Sequence, residues 1–273
     1  MKNLKMFCLT LEPSHLNFIK DLSYIPVGLG NKTFSDDWLN DKKGENISQK
    51  NKNYGEYTFH YWLWKNYVDK LENKWIGFGQ YRKFWTIDNY ENKKLDDNQI
   101  KSIAIKEIPQ AYEDCDVILG KPFFINQRRI SKFIKKGFKM ILKKPSFLFD
   151  KNSRNLKFHF DLMHGEGNLK KAISLLDNKN KIYFEEYMNK NFYFHPHNMF
   201  ICKNKSLLIE YYETIFPWLE RCEDIFGFKN LHGYDLTRIY GFLAERFLSY
   251  WFTRNAKFKT MNITFYDINS QIL

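Results

Sequence analysis

The sequence has no closely spaced cysteines and no long apolar run. Its four cysteines, Cys8, Cys115, Cys202 and Cys222, are scattered, so the CxxC spacing of zinc sites and redox motifs is missing. Scattered single cysteines are typical of a reducing cytoplasm. No stretch approaches the roughly 20 apolar residues of a transmembrane helix, and the N-terminal apolar run is too short for a signal peptide. We therefore expect a cytoplasmic protein that is soluble or peripheral to a membrane.

Positive charge is in excess over the 273 residues. Lysine and arginine number 43 against 31 acidic residues, which gives a net charge of +12, and aromatic residues make up 18% of the chain. This balance favours an anionic partner, which is a nucleic acid, a phosphorylated ligand or a membrane surface. A compositional bias toward lysine, asparagine, isoleucine and phenylalanine is the alternative explanation.

The pattern of apolar residues predicts strands that alternate with helices. Strands are expected near 4–10, 75–80, 116–119, 198–201 and 261–266, and helices near 54–71, 98–111, 169–176, 204–222 and 234–252. Such alternation predicts an α/β fold in which helices flank a mostly parallel central sheet. We see no linker, so the prediction is a single domain over residues 1–273.

One predicted strand ends in a polar and cationic sequence, GQYRK, over residues 79–83. In open α/β sheets, ligands bind beyond the carboxyl ends of the strands. There Arg82 is suited to bidentate bonds with phosphate, Lys83 to a point charge, and Tyr81 to stacking or donation. The simpler interpretation is a strand that meets solvent with charged residues.

Four blocks of the sequence resemble the DUF4422 family of bacterial surface-polysaccharide glycosyltransferases. They are GENISQKNKNYGEYTFHYWLWKNY (44–67), WIGFGQYRKFW (75–85), HPHNMFICKNKSLLIEYYETIFPWL (195–219) and YGFLAERFLSYW (240–251). The blocks occur in the family's order over roughly residues 24–252. The resemblance implies a GT-A-like fold, a nucleotide-sugar donor that carries galactofuranose or a hexopyranose, and a glycan or lipid-linked glycan as acceptor.

The sequence departs from the family pattern at three positions of these blocks. Glu45 replaces an aspartate, Gln80 a histidine that precedes Tyr-Arg-Arg, and Lys83 the second arginine. A glutamine cannot act as a general base. If the family's histidine is catalytic, this chain is altered or is an inactive glycan-binding scaffold. If the histidine only donates a hydrogen bond, Gln80 replaces it well.

The matched blocks and the predicted strand ends supply the candidate site residues. The candidates for donor binding are Gly28, Asn46, Ser48, Lys50, Asn51, Glu56, Gln80, Tyr81, Arg82, Lys83, Asn198, Met199 and Arg246. Asp235 and Glu245 are the candidates for the catalytic base or for a ligand of sugar hydroxyls. Helix capping for the polar loop and a structural ion pair for Glu245 and Arg246 are the alternatives.

A metal site is not expected. The one Asp-x-Asp sequence, Asp114 to Asp116, precedes its predicted strand, whereas hard cations need oxygens clustered at a strand end. Arg82, Lys83 and Arg246 are expected to neutralise the donor diphosphate without a metal or another cofactor.

A basic amphipathic stretch over residues 127–149 lies in a predicted insertion at about 126–157. Its cations alternate with apolar residues, as in helices that bind anionic membrane surfaces. We expect it to dock on the inner membrane, and a surface helix packed on its own domain is the alternative. A nucleic-acid-binding protein is the rival function, but no RRM, KH or zinc motif is found, so we expect no nucleic-acid partner.

Overall fold

The protein is described by a computed structural model that covers residues 3–72, 74–91, 93–127 and 153–268. The basic stretch predicted at 127–149 thus lies, apart from Gln127, outside the described residues. Two compact units make up the chain. The first comprises Met1–Lys121, His197–Glu213 and Phe252–Leu273, and the second comprises Pro122–Pro196 and Thr214–Trp251. The single domain over 1–273 stays a prediction.

The first unit contains a sheet of eight strands. In chain order they are β1 (Leu4–Thr10), β2 (Ile25–Gly28), β3 (Leu39–Asn40), β4 (Trp75–Gln80), β5 (Lys83–Thr86), β6 (Val117–Gly120), β9 (Phe200–Cys202) and β10 (Phe258–Phe265). Their order across the sheet is β3-β2-β1-β4-β5-β10-β6-β9, and β9 also pairs with β4. Strands β4, β5, β10, β6 and β9 therefore close into a barrel-like ring from which β1 to β3 extend.

The α/β class is confirmed, but the prediction of a mostly parallel sheet is wrong. Strands β1, β2, β3 and β4 are joined by parallel pairs, as are β6 and β10. The pairs β4–β5, β5–β10, β4–β9 and β6–β9 are antiparallel. The sheet is mixed because a short hairpin follows β4 and because β9 inserts against the direction of both its neighbours.

Four helices lie wholly within the described part of the first unit. They are α1 (Leu16–Asp21), α2 (Asn51–Tyr54), α3 (Tyr57–Asn66) and α4 (Asp97–Ile103). Helix α4 begins at a capping box, in which Asp96 and Gln99 satisfy each other's backbone N–H groups. Helix α3 buries most of its side chains, and Phe59 from this helix packs against Phe7 of β1 at 5.4 Å between ring centroids.

The second unit is helical in its described part apart from one small antiparallel pair, β7 (Phe123–Phe124) with β8 (Tyr193–Phe194). Its helices are α5 (Leu156–His164), α6 (Asn168–Ser174), α7 (Asn178–Lys190) and α9 (Gly233–Thr237). Two long helices, α8 (Lys205–Phe226) and α10 (Ile239–Asn255), supply residues to both units. Among the described helices, none combines the length and the apolar character that crossing a bilayer requires.

Packing explains the first glycine of the WIGFG strand. A Cβ at Gly77 would lie 2.8 Å from Met6 Cε and 3.3 Å from Ile201 Cγ1, so a larger residue would displace the Met6 side chain from the core. The four cysteines are free thiols and all are buried.

Candidate functional site

The parallel strands of the first unit bring their carboxyl ends to one edge of the sheet. Backbone pairing sets Thr10 of β1 opposite Gly28 of β2, and Gly28 opposite Asn40 of β3. It also sets Leu9 opposite Gln80, the last residue of β4. Because ligands of open α/β sheets bind beyond this edge, the polar residues that gather here form the candidate site.

The carboxylate of Glu56 is held by two amides at this edge. Its Oε1 accepts hydrogen bonds from Gln80 Nε2 at 3.1 Å and from Asn198 Nδ2 at 3.3 Å. Glu56 lies at the N-terminal end of α3, where the helix dipole favours a negative charge. Three sequence-predicted site residues from distant parts of the chain are therefore in direct contact.

The Gln80 side chain is fixed by bonds at both ends of its amide. Its Oε1 accepts from Lys83 Nζ at 2.8 Å, and its Nε2 also donates to the carbonyl of His197 at 2.9 Å. A glutamine suits this position because it accepts at one atom and donates at the other. The position where the family has histidine thus serves to orient Glu56 in this chain.

The backbone before β9 adopts an uncommon conformation beside these contacts. His197 and Asn198 have φ angles of +80° and +53°, and two adjacent non-glycine residues in the left-handed region carry strain that surrounding contacts must offset. Burial and the nearby Lys83 charge lower the pKa of His197 to about 3, so the imidazole is neutral at physiological pH. The strained backbone of His197 and Asn198 brings the Asn198 side-chain amide within hydrogen-bonding distance of Glu56.

The predicted strand end proves to be the turn of a hairpin. Gln80 pairs with Lys83 across an antiparallel connection, and Tyr81 with Arg82 forms the two-residue turn. Neither turn residue has a positive φ. The hairpin returns Lys83 to the sheet, where it contacts Gln80, and leaves Arg82 at the tip with its side chain 56% exposed.

The turn residues contact an aromatic neighbour that the sequence did not reveal. The Tyr81 ring stacks on the His15 ring at 5.1 Å, and the Arg82 guanidinium lies 4.9 Å from the Tyr81 centroid. His15 is fully buried, and its Nδ1 is 2.8 Å from the hydroxyl of Thr10. Arg82 also lies 3.8 Å from the exposed carboxylate of Asp267. The exposed Arg82 is thus available to an anion, while Tyr81 serves to position the turn.

The polar loop before α3 is held largely by its own hydrogen bonds. Asn46 Nδ2 donates to the carbonyls of Lys42 and Gly44, and its Oδ1 accepts from the backbone N–H and the hydroxyl of Ser48. Asn51 Nδ2 donates to Gly55 O and to the Thr58 hydroxyl.

Lys50, in the same polar loop, lies with its Nζ 6.0 Å from the Tyr54 ring centroid. Asn46 and Ser48 bond to neighbouring atoms of the same loop, and no described side chain caps α2 or α3, so helix capping does not account for these two residues. Their role in donor binding stays a prediction.

A buried carboxylate, Asp41, follows β3 at the same edge. It is fully buried, and within the described part of the chain neither carboxylate oxygen has a hydrogen-bond partner. Burial raises the pKa of Asp41, and the nearby Thr58 hydroxyl and Lys42 charge offset this only in part. Nothing in the sequence marks Asp41, because an aspartate that precedes two lysines and a glycine is ordinary in a surface turn.

Two further predicted donor-site residues are packed into the first unit. The Phe34 ring lies directly on Gly28, where a Cβ would come within 2.5 Å of its carbons. Met199 is 1% exposed and belongs to the hydrophobic core. Gly28 therefore admits the Phe34 ring at the sheet edge, and Met199 anchors the start of β9.

Asp235, Glu245 and Arg246 belong to the second unit. Arg246 is 2% exposed, bonds Glu245 Oε2 at 2.5 Å, and lies 3.4 Å from the Phe194 ring centroid. These contacts are those of a buried ion pair whose guanidinium is also covered by an aromatic ring. Asp235 lies in the short helix α9, and its backbone carbonyl is 3.2 Å from His164 Nδ1.

The Asp-x-Asp sequence is engaged by lysines at the other edge of the sheet. Asp114 lies 3.2 Å from Lys257 Nζ and 2.5 Å from Lys259 Nζ, and these hydrogen bonds lower its pKa to about 2. Asp116 accepts from the backbone N–H of Lys257 at 2.9 Å. Within the described residues, no group of three or more histidine, cysteine or acidic side chains has the arrangement of a metal site.

Comparison with known proteins gives one family and one solved structure. Residues 8–256 match the family described as a domain of unknown function, DUF4422. An apo structure of the bifunctional glycosyltransferase WbbM matches with a TM-score of 0.70 and 20% sequence identity. The match covers 96% of this chain and 45% of the WbbM chain, so this chain spans less than half of that protein. No curated protein matches. The match to WbbM is a likeness of fold.

Proposed function

The chain belongs to the DUF4422 family, and we propose that it is a glycosyltransferase that transfers a sugar from a nucleotide donor to a growing capsular or lipopolysaccharide glycan. The observation that carries this proposal is the Glu56 carboxylate, which Gln80 and Asn198 orient at the carboxyl edge of the parallel strands. The glycosyltransferase fold of WbbM supports it. Galactofuranose and a hexopyranose are the sugars we expect.

Sugar transfer requires a base for the acceptor hydroxyl and cations for the leaving diphosphate. In the proposed mechanism Glu56 takes the proton from the acceptor hydroxyl, if the reaction inverts. Arg82 and Lys83 stabilise the negative charge on the diphosphate. Asp235 and Glu245 remain the alternative candidates for the base.

Donor binding tests the proposal directly. Thermal shifts measured with UDP-, GDP-, CMP- and dTDP-sugars should identify one nucleotide that stabilises the protein. Replacing Arg82 by alanine should weaken binding of that donor by about 10- to 100-fold, because a hydrogen bond between charged groups contributes roughly 1.5–3 kcal/mol. Arg254→Ala is the matched control, since Arg254 is exposed at the end of α10. Equal donor affinity in the two variants would contradict the role of Arg82.

Two results would favour the rival functions. Salt-sensitive binding of single-stranded oligonucleotides without any nucleotide-sugar response would favour a nucleic-acid-binding protein. Glycan binding without turnover would favour an inactive scaffold. The hydrogen bonds of Gln80 argue against the scaffold, because glutamine supplies here the donor that Glu56 needs.

Turnover should persist without a divalent metal. The lysines around Asp114 already neutralise the Asp-x-Asp sequence, and Arg82 and Lys83 supply positive charge at the candidate site. We expect activity in excess EDTA to stay near that of the untreated enzyme. A loss of activity that manganese restores would reveal a metal site and overturn this part of the mechanism.

The basic stretch over 127–149 is proposed to bind the anionic inner membrane, where a lipid-linked acceptor would lie. Each cation near such a surface contributes about 1 kcal/mol, and salt screens the attraction. The protein should sediment with anionic liposomes but not with zwitterionic ones.

Reversing the charges of Lys135, Lys136 and Lys139 should release the protein from the anionic liposomes. As a control, the same reversal at the exposed Lys170, Lys171 and Lys179 should leave binding unchanged. Equal release in both variants would mean that the attraction is nonspecific.

A further inference from the structure

Three neighbouring strands place a row of side chains beside Glu56. Gln80 of β4 pairs with Lys83 of β5, and Lys83 pairs with Phe265 of β10. Directly paired residues of antiparallel strands project their side chains from the same face. The contacts agree, since Lys83 Nζ lies 2.8 Å from Gln80 Oε1 and 5.9 Å from the Phe265 ring centroid.

Phe265 ends this row with an aromatic ring in solvent. It is 62% exposed, whereas its neighbours Thr264 and Tyr266 are 4% and 7% exposed. The His197 ring meets the Phe265 ring edge-on, at 5.3 Å between centroids and 83° between planes. His197 is the residue whose carbonyl accepts from Gln80. An exposed phenyl ring is therefore tied by two contacts to the residues that orient Glu56.

An aromatic ring beside amide, ammonium and carboxylate groups matches the chemistry of a sugar. One face of a sugar ring presents C–H groups, which the negative face of a phenyl ring attracts, and its rim presents hydroxyls for hydrogen bonds. From this geometry we infer that Phe265 is the platform on which the acceptor sugar packs, with its hydroxyls directed toward Gln80 and Glu56. This inference rests on the proposed function.

Sheet order assigns this platform to the acceptor and not to the donor. The parallel strands β1, β2 and β3 lie on one side of β4, and β5 and β10 lie on the other. A nucleotide bound beyond the ends of β1 to β4, with its diphosphate at Arg82 and Lys83 of the β4–β5 turn, leaves the neighbouring end of β10 open to a second substrate. Phe265 lies on that second side, and its exposure allows a glycan to reach it from solvent.

Binding of simple glycosides tests the platform without any donor. The probes are the methyl pyranosides of glucose, galactose and mannose and methyl galactofuranoside, observed by saturation-transfer NMR. At least one should receive saturation on the C–H protons of one ring face. Phe265→Ala should weaken that signal by about five- to tenfold, in proportion to the loss of an aromatic contact. Phe265→Trp should retain it.

Ile87→Ala is the matched control, since Ile87 is 55% exposed and follows β5 at the opposite end of that strand from Lys83. It should leave the signal unchanged. Phe265→Ala should also keep the thermal midpoint of the parent, because the ring is mostly in solvent. An unchanged signal in Phe265→Ala, or no saturation of any glycoside by the parent, would overturn the inference.

Kinetics separate a failure of the platform from a failure of the proposed function. Phe265→Ala should raise the acceptor KM about five- to tenfold while the donor KM and the slow hydrolysis of the donor by water stay near parental values. An equal loss of hydrolysis and transfer would overturn the acceptor role of Phe265. If the parent neither hydrolyses nor transfers any donor sugar, the proposed function fails, and the NMR experiment still decides whether Phe265 binds a sugar.

Discussion

Replacing Glu56 by glutamine should slow sugar transfer by about 100- to 10,000-fold, the range that a positioned proton acceptor contributes to a reaction. The substitution keeps the size of the side chain and an oxygen that can still accept from Gln80 and Asn198. It removes the negative charge and the ability to take a proton. We therefore expect kcat to fall while donor affinity and thermal midpoint change little.

Glu107→Gln is the control for this substitution, because Glu107 is an exposed glutamate of the same unit. It should retain parental kcat. If the kcat of Glu56→Gln stays within about twofold of the parental kcat, Glu56 is excluded as the base, because a tenfold change in kcat corresponds to about 1.4 kcal/mol. Asp235 and Glu245 would then be the candidates for the base.

Variants of Gln80 separate orientation from chemistry at this site. Gln80→His should retain substantial transfer, since a neutral imidazole can donate to Glu56 from one nitrogen and accept from the other. Gln80→Leu should lose most of the transfer activity, because leucine can neither donate to Glu56 nor accept from Lys83. Greater activity of the leucine variant than of the histidine variant would contradict an orienting role for Gln80.

The sequence predicted regular elements well where the apolar pattern was strong. The strand expected over 4–10 is β1 with the same bounds, and the helices expected near 204–222 and 234–252 correspond to α8 and α10. The hairpin at β5 was missed, because the turn at Tyr81 and Arg82 has no glycine, asparagine or proline to mark it. The direction of β9 was also not predictable, since strand pairing depends on contacts between distant segments.

The candidate site shows the same division between local and distant information. The blocks that resemble the family drew attention to Glu56, Gln80 and Asn198, which the structure brings together although they lie 24 and 142 residues from one another. The sequence did not predict a role for His197 or Phe265, because their positions depend on the pairing of β9 and β10 with strands far away in the chain. Sequence spacing alone could not have placed either residue.

Lowering the pH from 7 to 5 should destabilise the protein, and a buried histidine of α3 should cause much of the loss. His60 is fully buried, lies 4.4 Å from the Phe78 ring, and has its Nδ1 2.7 Å from the Tyr212 hydroxyl. Among the described residues, its Nε2 has no hydrogen-bond partner. Burial lowers the pKa of His60 to about 3, so the folded state holds a neutral ring.

The sign of the effect follows from where the proton binds. Below the ordinary histidine pKa of about 6.5, His60 is protonated in the unfolded chain, whereas in the folded chain it stays neutral down to about pH 3. The contribution of the neutral His60 to the free energy of unfolding is therefore fully present above about pH 6.5. It is lost as the pH falls toward 3, by about 1.4 kcal/mol per pH unit, which amounts to about 2 kcal/mol at pH 5. His197, whose pKa is also lowered to about 3, adds to the loss with the same sign.

The double variant His60→Phe with Tyr212→Phe isolates the contribution of His60, because it removes both partners of a buried hydrogen bond and leaves neither one unpaired. In urea unfolding between pH 7 and pH 4.5, the free energy of unfolding of the double variant should fall less steeply with decreasing pH than that of the parent. The two slopes should differ by about 1.4 kcal/mol per pH unit, which corresponds to one proton. His232→Gln, at an exposed histidine, should keep the parental slope. Because each protein is compared with its own value at pH 7, a uniform cost of repacking the core cancels. Parallel curves for the double variant and the parent would mean that His60 takes up its proton in the folded state, and that water reaches the centre of the layer between α3 and the sheet.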